Sequence, residues 1–328
     1  MTRKLFSVVL CAFALLLLMG AAAVPKEPAA TILAEEESSV SNETALETDA
    51  QTLDAGFARS VIAASGLDPL EVAEDAESME ATVDNSLLID GQPAPLGLGK
   101  RLQNDTTYVS LSAMAQVLDP TAQIGWDGET MTVTTQGLSL TAHVGAIFLS
   151  ANGRYLYIPE GVQFTEDFDV SVPLRTVAKA FDAAVGYDGV NGTITITRGT
   201  GAILPGDSFY DQNDLFWLSR VIQRESGNQS LEGQMSVGSV VLNRVADPIF
   251  PDTVEGVLAQ KNQFTTYASG VLAATEPTQS STIAAKLVMD GGEVEETRGA
   301  LFFDSSVNSW ASKHKEHIAT LGDHKFYR

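Results

Sequence analysis

Glu225 closes the apolar stripe of a helix that the sequence places around 215–226. Leu215, Leu218, Val221 and Ile222 recur at helical spacing, and Glu225 follows Val221 and Ile222 by four and three positions, on the same face. Apolar neighbours desolvate a carboxylate there and disfavour its charged form. Gly227 reads as the helix stop, and the partial negative charge of a helix C-terminus disfavours an anion further. Arg224 is adjacent but lies about 100° away round the helix, so it compensates weakly. The pattern predicts a carboxyl group that keeps its proton near neutral pH. A general acid in glycoside cleavage needs that state. An ordinary surface glutamate at a frayed helix end is the alternative.

Glycosidases that use two carboxylates hold them roughly 5–10 Å apart. Glu232 is the nearest in sequence, but Gly227 interrupts the helix between them, so spacing decides nothing; Asp304 is the other candidate. Gln263 offers amide hydrogen bonds, and Phe264, Phe303, Trp310 and Tyr327 offer faces on which a sugar ring could stack. A different chemistry would use His314, His317 and His324, with Asp323 beside them, as the ligands of an amidase zinc. Lys313, Lys315 and Lys325 surround these histidines and favour a solvated basic edge instead.

Several elements must position these groups. A second helix spans 231–245, with Ser230 as N-cap and Glu232 in its first turn. Met235, Val241, Leu242 and Val245 form its apolar face, and Gly233 and Gly238 thin it for close packing. Asp252 is placed to cap a short helix at 253–259, and a further helix covers 280–290 before Gly291-Gly292. "RGALFF" is a short extended run, and "IATLGDHKFYR" closes the domain as a tail.

Ahead of this region the pattern changes to alternating strands: "TMTVTT" at 130–135, "RYLYI" at 154–158 and "TITIT" at 193–197. An internal repeat runs through them. "YVSLSAMAQVLD" from Tyr108 pairs with "SVPLRTVAKAFD" from Ser171, and "GWDGETMTVT" pairs with "GYDGVNGTITIT". The reading is α+β: a pseudo-repeated α+β accessory domain at 86–199, a linker with Gly and Pro at 200–211, and a mainly helical domain at 212–328. Trp126, Tyr155, Tyr157 and Tyr187 are candidates for a sugar-stacking face on the accessory domain.

The chain has 328 residues and a formal charge of -22. Nucleic acid is thereby a poor partner, since it needs a basic footprint. Residues 24–85 carry 15 acidic and 2 basic side chains and one aromatic, Phe57. They read as an acidic disordered spacer with a short helix near 57–64. Before them, Arg3 and Lys4, the apolar run from Leu5 to Leu18 and Ala21-Ala22-Ala23 read as a signal peptide of 23 residues. The run is short for a membrane span. Its removal takes away Cys11, the only cysteine, and leaves no stable membrane insertion.

Two resemblances follow from these motifs. "RESGNQ" has the look of the catalytic helix end of lysozyme-like lytic transglycosylases. The longer run "VIQRESGNQSLEGQMSVGSVVLNRV", with "FPDTVEGVL", "NQFT", "ALFF" and "GDHKFY" in order, closely resembles the SleB-type cell wall hydrolases, the spore cortex-lytic enzymes and their vegetative relatives. The resemblance implies a lysozyme-like catalytic domain without a cofactor, acting on peptidoglycan glycan strands, with Glu225 as catalytic acid. Gln263-Phe264 and His324 match family motifs. Two departures stand out. Gln229 replaces a second family acid, and Phe303-Asp304 stands where the family commonly has Tyr-Asn. The first keeps a third reading open, a non-catalytic wall-binding protein.

"VPLRTVAKAFDAAVGYDGVNGTITIT" resembles the N-terminal domain of copper amine oxidases, an accessory module of many secreted bacterial proteins. That module does not carry the oxidase copper site, and His143 alone makes no copper centre. The implied role is to bind cell wall or a partner protein. The implied location is extracytoplasmic, at wall or cortex.

The signal pattern generates one test. N-terminal sequencing of the secreted protein is expected to start near Val24; intact Met1 in a soluble cytosolic fraction would overturn the reading.

Overall fold

The repeat read from the sequence becomes a repeat in space. In the computed structural model, the strand Thr106–Ser110 leads into the helix Leu111–Leu118, and the strand Val170–Pro173 leads into the helix Leu174–Ala180. The two strands pair antiparallel, with Val109 opposite Val172 and Ser110 opposite Ser171. Each copy then makes a hairpin: Gln123–Trp126 with Thr130–Thr134, and Ala184–Asp188 with Thr193–Thr197. Gly125 and Gly186 occupy equivalent places. A Cβ on either would come within 2.5 Å of the hydroxyl of Thr132 or Thr195 on the neighbouring strand, so in both copies the glycine makes room for a cross-strand threonine.

The structure describes residues 84–328 except 167, 168, 262 and 307, together with the side chain of residue 85. The signal peptide, Cys11, the helix near 57–64 and all but the end of the acidic spacer lie outside the described residues. Among the described residues no helix is long and apolar enough to cross a membrane.

The accessory core follows from strand alternation. Met131 and Val133, then Leu140 and Ala142, then Leu149 and Ala151, face inward on successive strands. They pack with Leu111, Met114, Leu174 and Val177 from the two repeat helices. Full burial of such side chains contributes about 1.5–3 kcal/mol each.

The segment from 212 mixes helix and strand, where the sequence analysis expected mainly helix. Helices Gln212–Ser226, Leu231–Ala246 and Gln279–Met289 enclose Leu218, Val221, Ile222, Met235, Val241, Ala284, Leu287 and Val288. Asp211, Ser230 and Thr278 cap them, each accepting from backbone N–H groups of its first turn. Thr253, not Asp252, caps the short helix Val254–Leu258. The segment read as an extended run and a tail forms a three-stranded antiparallel sheet. His324–Tyr327 is its central strand, between Phe302–Asp304 and His317–Leu321. Short runs with few alternating positions gave no sheet signal.

The linker at 200–211 is packed, not loose. Gly206–Phe209 is a single helical turn, and Tyr210 is buried. The Tyr210 hydroxyl donates to Asp290 at 3.0 Å and accepts from the Tyr155 amide at 3.2 Å. Asp290 ends the helix Gln279–Met289, and the accessory domain grips it. Arg154 forks onto both its oxygens at 2.8 and 2.6 Å, and the Lys179 ammonium lies 2.7 Å away. The Arg154 guanidinium rests on the Phe209 ring, 3.3 Å from its centre. Burial pushes the Asp290 carboxyl up, but the hydrogen bonds and charges of Arg154 and Lys179 outweigh it and hold the group below the usual carboxylate range. Tyr155 and Tyr157 pack against the neighbouring helical core, so the four aromatics expected to form one sugar-stacking face do not. Trp126 stacks on Phe164 at 5.4 Å instead, and Tyr187 stands exposed elsewhere.

Removing one partner of a buried ion pair strands the other. Asp290→Ala is expected to cost about 3–5 kcal/mol in urea unfolding. The wild type loses the Asp290 contribution as pH falls from the unfolded value of about 3.9 through the lower folded value. The variant lacks that slope. A loss under about 1 kcal/mol would show that the latch contributes little.

Candidate active site

Glu225 sits on the last turn of the helix Gln212–Ser226, beyond Leu218, Val221 and Ile222, all fully buried. The helix stops at Gly227, which has ordinary right-handed φ of -59°. Glycine is needed there for space: a Cβ would come within 2.5 Å of the Gln223 carbonyl oxygen. Glu225 is half-buried. Burial raises its carboxyl above the usual range, and the charge of Arg224 only partly opposes this. Among the described residues no hydrogen bond to the anion offsets the shift.

Glu225 opens into a cavity of about 250 Å³ lined also by Arg244, Gln263, Phe264, Phe303, Asp304, Ser305 and His324. Six of the eight residues singled out in the sequence thus meet in one place. Trp310 and Tyr327 do not. Trp310 is exposed and packs on Phe302 and His314. Tyr327 is buried, its ring centre 5.5 Å from that of His317 in an edge-to-face contact. Tyr327 pairs with Phe302, two positions along the strand from the Asp304–Lys325 pair.

Arg244 is the functional candidate that sequence reasoning missed. It lies in the last turn of the helix Leu231–Ala246 and is 4% exposed. Its Nε donates to the Leu301 carbonyl at 2.7 Å, and its Nη1 donates to Gln263 Oε1 at 3.1 Å. The rings of Phe250, Phe264 and Phe302 surround the guanidinium at 5.2–5.8 Å. Burial lowers its pKa to about 10, which leaves it charged. The signal was present: Arg244 follows Val240 and Val241 at helical spacing, just as Glu225 follows Val221 and Ile222.

His324 is held edge-on to Phe303 at 5.4 Å, and its Nδ1 is buried without a hydrogen-bond partner. Burial lowers its pKa, against the charges of Asp323 and Asp304, and favours the neutral ring. His314 and His317 are engaged elsewhere, on the Trp310 carbonyl at 2.8 Å and the Thr320 hydroxyl at 2.9 Å. Among the described residues no group of three His, Cys, Asp or Glu could hold a metal ion, so the amidase arrangement is not assembled.

Gln229 has a structural task. Its amide nitrogen donates to Asp323 Oδ2 at 2.9 Å while its oxygen accepts from the Asp323 amide at 3.1 Å. Only an amide does both. The pair ties the start of the second helix to the turn before His324. Glu232 accepts from the Tyr157 hydroxyl at the boundary with the accessory domain and does not reach the cavity. Of the two candidate second carboxylates, Asp304 is the one beside Glu225.

Comparison with known proteins follows these boundaries. Residues 228–327 match the Cell Wall Hydrolase family, a match that begins three residues after Glu225. Residues 88–196 match the copper amine oxidase N-terminal domain. The spore cortex-lytic enzyme of Bacillus cereus is 32% identical over 121 residues, 36% of this chain and 45% of that protein. That of Oceanobacillus iheyensis is 30% identical over 120 residues, 36% of this chain and 42% of that protein. The chain spans less than half the length of these relatives. Among solved structures, the catalytic domain of the germination-specific lytic transglycosylase SleB from Bacillus anthracis is 30% identical. The match covers 38% of this chain and all of that domain, with a TM-score of 0.33. The chain therefore carries a cell wall hydrolase domain similar in sequence to the spore cortex-lytic enzymes, preceded by a copper amine oxidase N-terminal domain.

Proposed function

We propose that this chain cleaves the glycan strand of peptidoglycan outside the cytoplasmic membrane, as a lytic transglycosylase with a lysozyme-like catalytic domain and Glu225 as general acid and base. The observation that carries the reading is the raised pKa of Glu225 at the mouth of a cavity with two aromatic side chains, Phe264 and Phe303. The protonated carboxyl gives its proton to the glycosidic oxygen as the bond to C1 breaks. The resulting carboxylate then takes the proton of the muramic C6 hydroxyl as that oxygen attacks C1, leaving a 1,6-anhydro end. Gln263, held by Arg244, is placed to bind the sugar amide or hydroxyls. The similarity to spore cortex-lytic enzymes supports cortex or wall peptidoglycan as substrate. The accessory domain, latched through Asp290, serves as the wall-contacting module.

Glu225→Gln keeps shape but cannot transfer a proton. Turnover on purified peptidoglycan, followed by mass spectrometry of the released fragments, is expected to fall by about 10²–10⁴. Folding is expected to hold. With a raised folded pKa, the wild type loses stability as pH rises from the unfolded value of about 4.3 to the folded one, and the variant lacks this decline. Glu232→Gln is the control and stays substantially active. A folded Glu225→Gln protein within about tenfold of wild type would overturn the assignment.

A further inference from the structure

The cavity beside Glu225 holds a second charge that the one-carboxylate scheme does not use. Asp304 ends the strand Phe302–Asp304, where its backbone is fixed by pairing with Lys325 on the central strand. Both of its carboxylate oxygens are buried, and neither has a hydrogen-bond partner among the described residues. Two cations are near at hand and neither pairs with it. Arg244 lines the same cavity, but its donors go to Leu301 and Gln263. Lys325 is the strand neighbour and makes no ion pair with it. The Asp304 charge reaches its surroundings all the same, since it pushes up the titration of both His324 and Tyr327.

A buried carboxylate without partners is costly. Folded proteins pair nearly all such groups, so one left bare at a concave site needs an explanation. The expected partner is one that arrives during the reaction. When the C1–oxygen bond breaks, its electron pair leaves with the oxygen that Glu225 protonates, and the ring carries one positive charge over C1 and its ring oxygen. That charge is gone once the C6 oxygen bonds to C1 and its proton passes to Glu225. A carboxylate held in a concave site favours such a transient cation over the neutral ground state.

We propose that Asp304 is a catalytic residue whose carboxylate stabilises the positively charged sugar ring formed as the glycosidic bond breaks. The proposal rests on the glycan-cleaving reading above. It gives the two carboxyl groups different tasks: Glu225 moves the proton, and Asp304 faces the charge that forms on the ring.

Asp304→Asn removes the charge and preserves the shape. In the full chain acting on purified, solubilised peptidoglycan, kcat is expected to fall about 10²–10³-fold while KM stays within about threefold. The thermal midpoint should be unchanged or higher, because a buried carboxyl group without partners gives way to a neutral amide. A structural role predicts the reverse, a lower midpoint with kcat kept. Binding gives a separate readout. A protonated iminosugar bearing an acetamido group should bind the variant at least about tenfold more weakly than wild type, whereas a neutral N-acetylglucosamine oligomer should bind both alike. Asp304→Ser provides a second charge-free variant if the asparagine form does not fold. Failure of both to fold would assign Asp304 to structure and overturn the inference. So would a folded variant with kcat within about threefold of wild type and unchanged iminosugar binding. If Glu225→Gln is inactive and Asp304→Asn active, only this inference falls. If both remain active, the assignment of Glu225 as acid and base falls with it; if the wild type releases no glycan fragments, the glycan-cleaving reading itself falls.

Discussion

The site depends on one close helix crossing. Gly238 of the helix Leu231–Ala246 faces Ile222 and Val288, and a Cβ there would stand 2.8 Å from Ile222 Cδ1 and 3.2 Å from a Val288 methyl. A side chain at 238 would make Ile222 and Val288 give way, so the glycine is what lets these helices meet closely. The contact is backed by a buried polar seam. Gln234 bonds Ser281 and Ser280, and Gln223 caps the same region by accepting from the Thr278 amide. Close packing of this kind fixes where each helix ends. It therefore fixes where Glu225 and Arg244, each on the last turns of its helix, enter the cavity.

The two residues share a construction and differ in consequence. Each ends an apolar stripe, so burial acts on both and favours the neutral form. The arginine begins so far above neutrality that even about 10 leaves it a cation. The glutamate begins low enough that the same push carries it toward the proton-holding state. One structural rule thus yields a fixed positive anchor for Gln263 and a movable proton a short way off.

The helix-borne positions were legible in the sequence because helical spacing is long and regular. The stripe leading to Glu225, the Ser230 cap and the thinning role of Gly238 all appear as read. The repeat at Tyr108 and Ser171 was legible for a related reason: two copies in one chain supply their own comparison. The sheet at the end of the chain was not legible, since its strands are three to five residues long. With the sheet unseen, Tyr327 and Phe303 looked equivalent, although one turns into the core and the other lines the cavity. In the linker, glycine and proline mark turns without saying whether a turn is loose or packed. Tyr210 settles that only through its contact with Asp290.

Gln229 acts on the cavity from outside it. Its amide joins the Asp323 carboxylate and the Asp323 backbone N–H at once, so the side chain at 229 is read from both sides. Glutamate there would set two carboxylates against each other across the turn and give up the bond to the carboxylate. The turn before His324 would then be tied to the start of the second helix by one bond in place of two, and a ring that lines the cavity would lose a restraint supplied by a residue that never touches it.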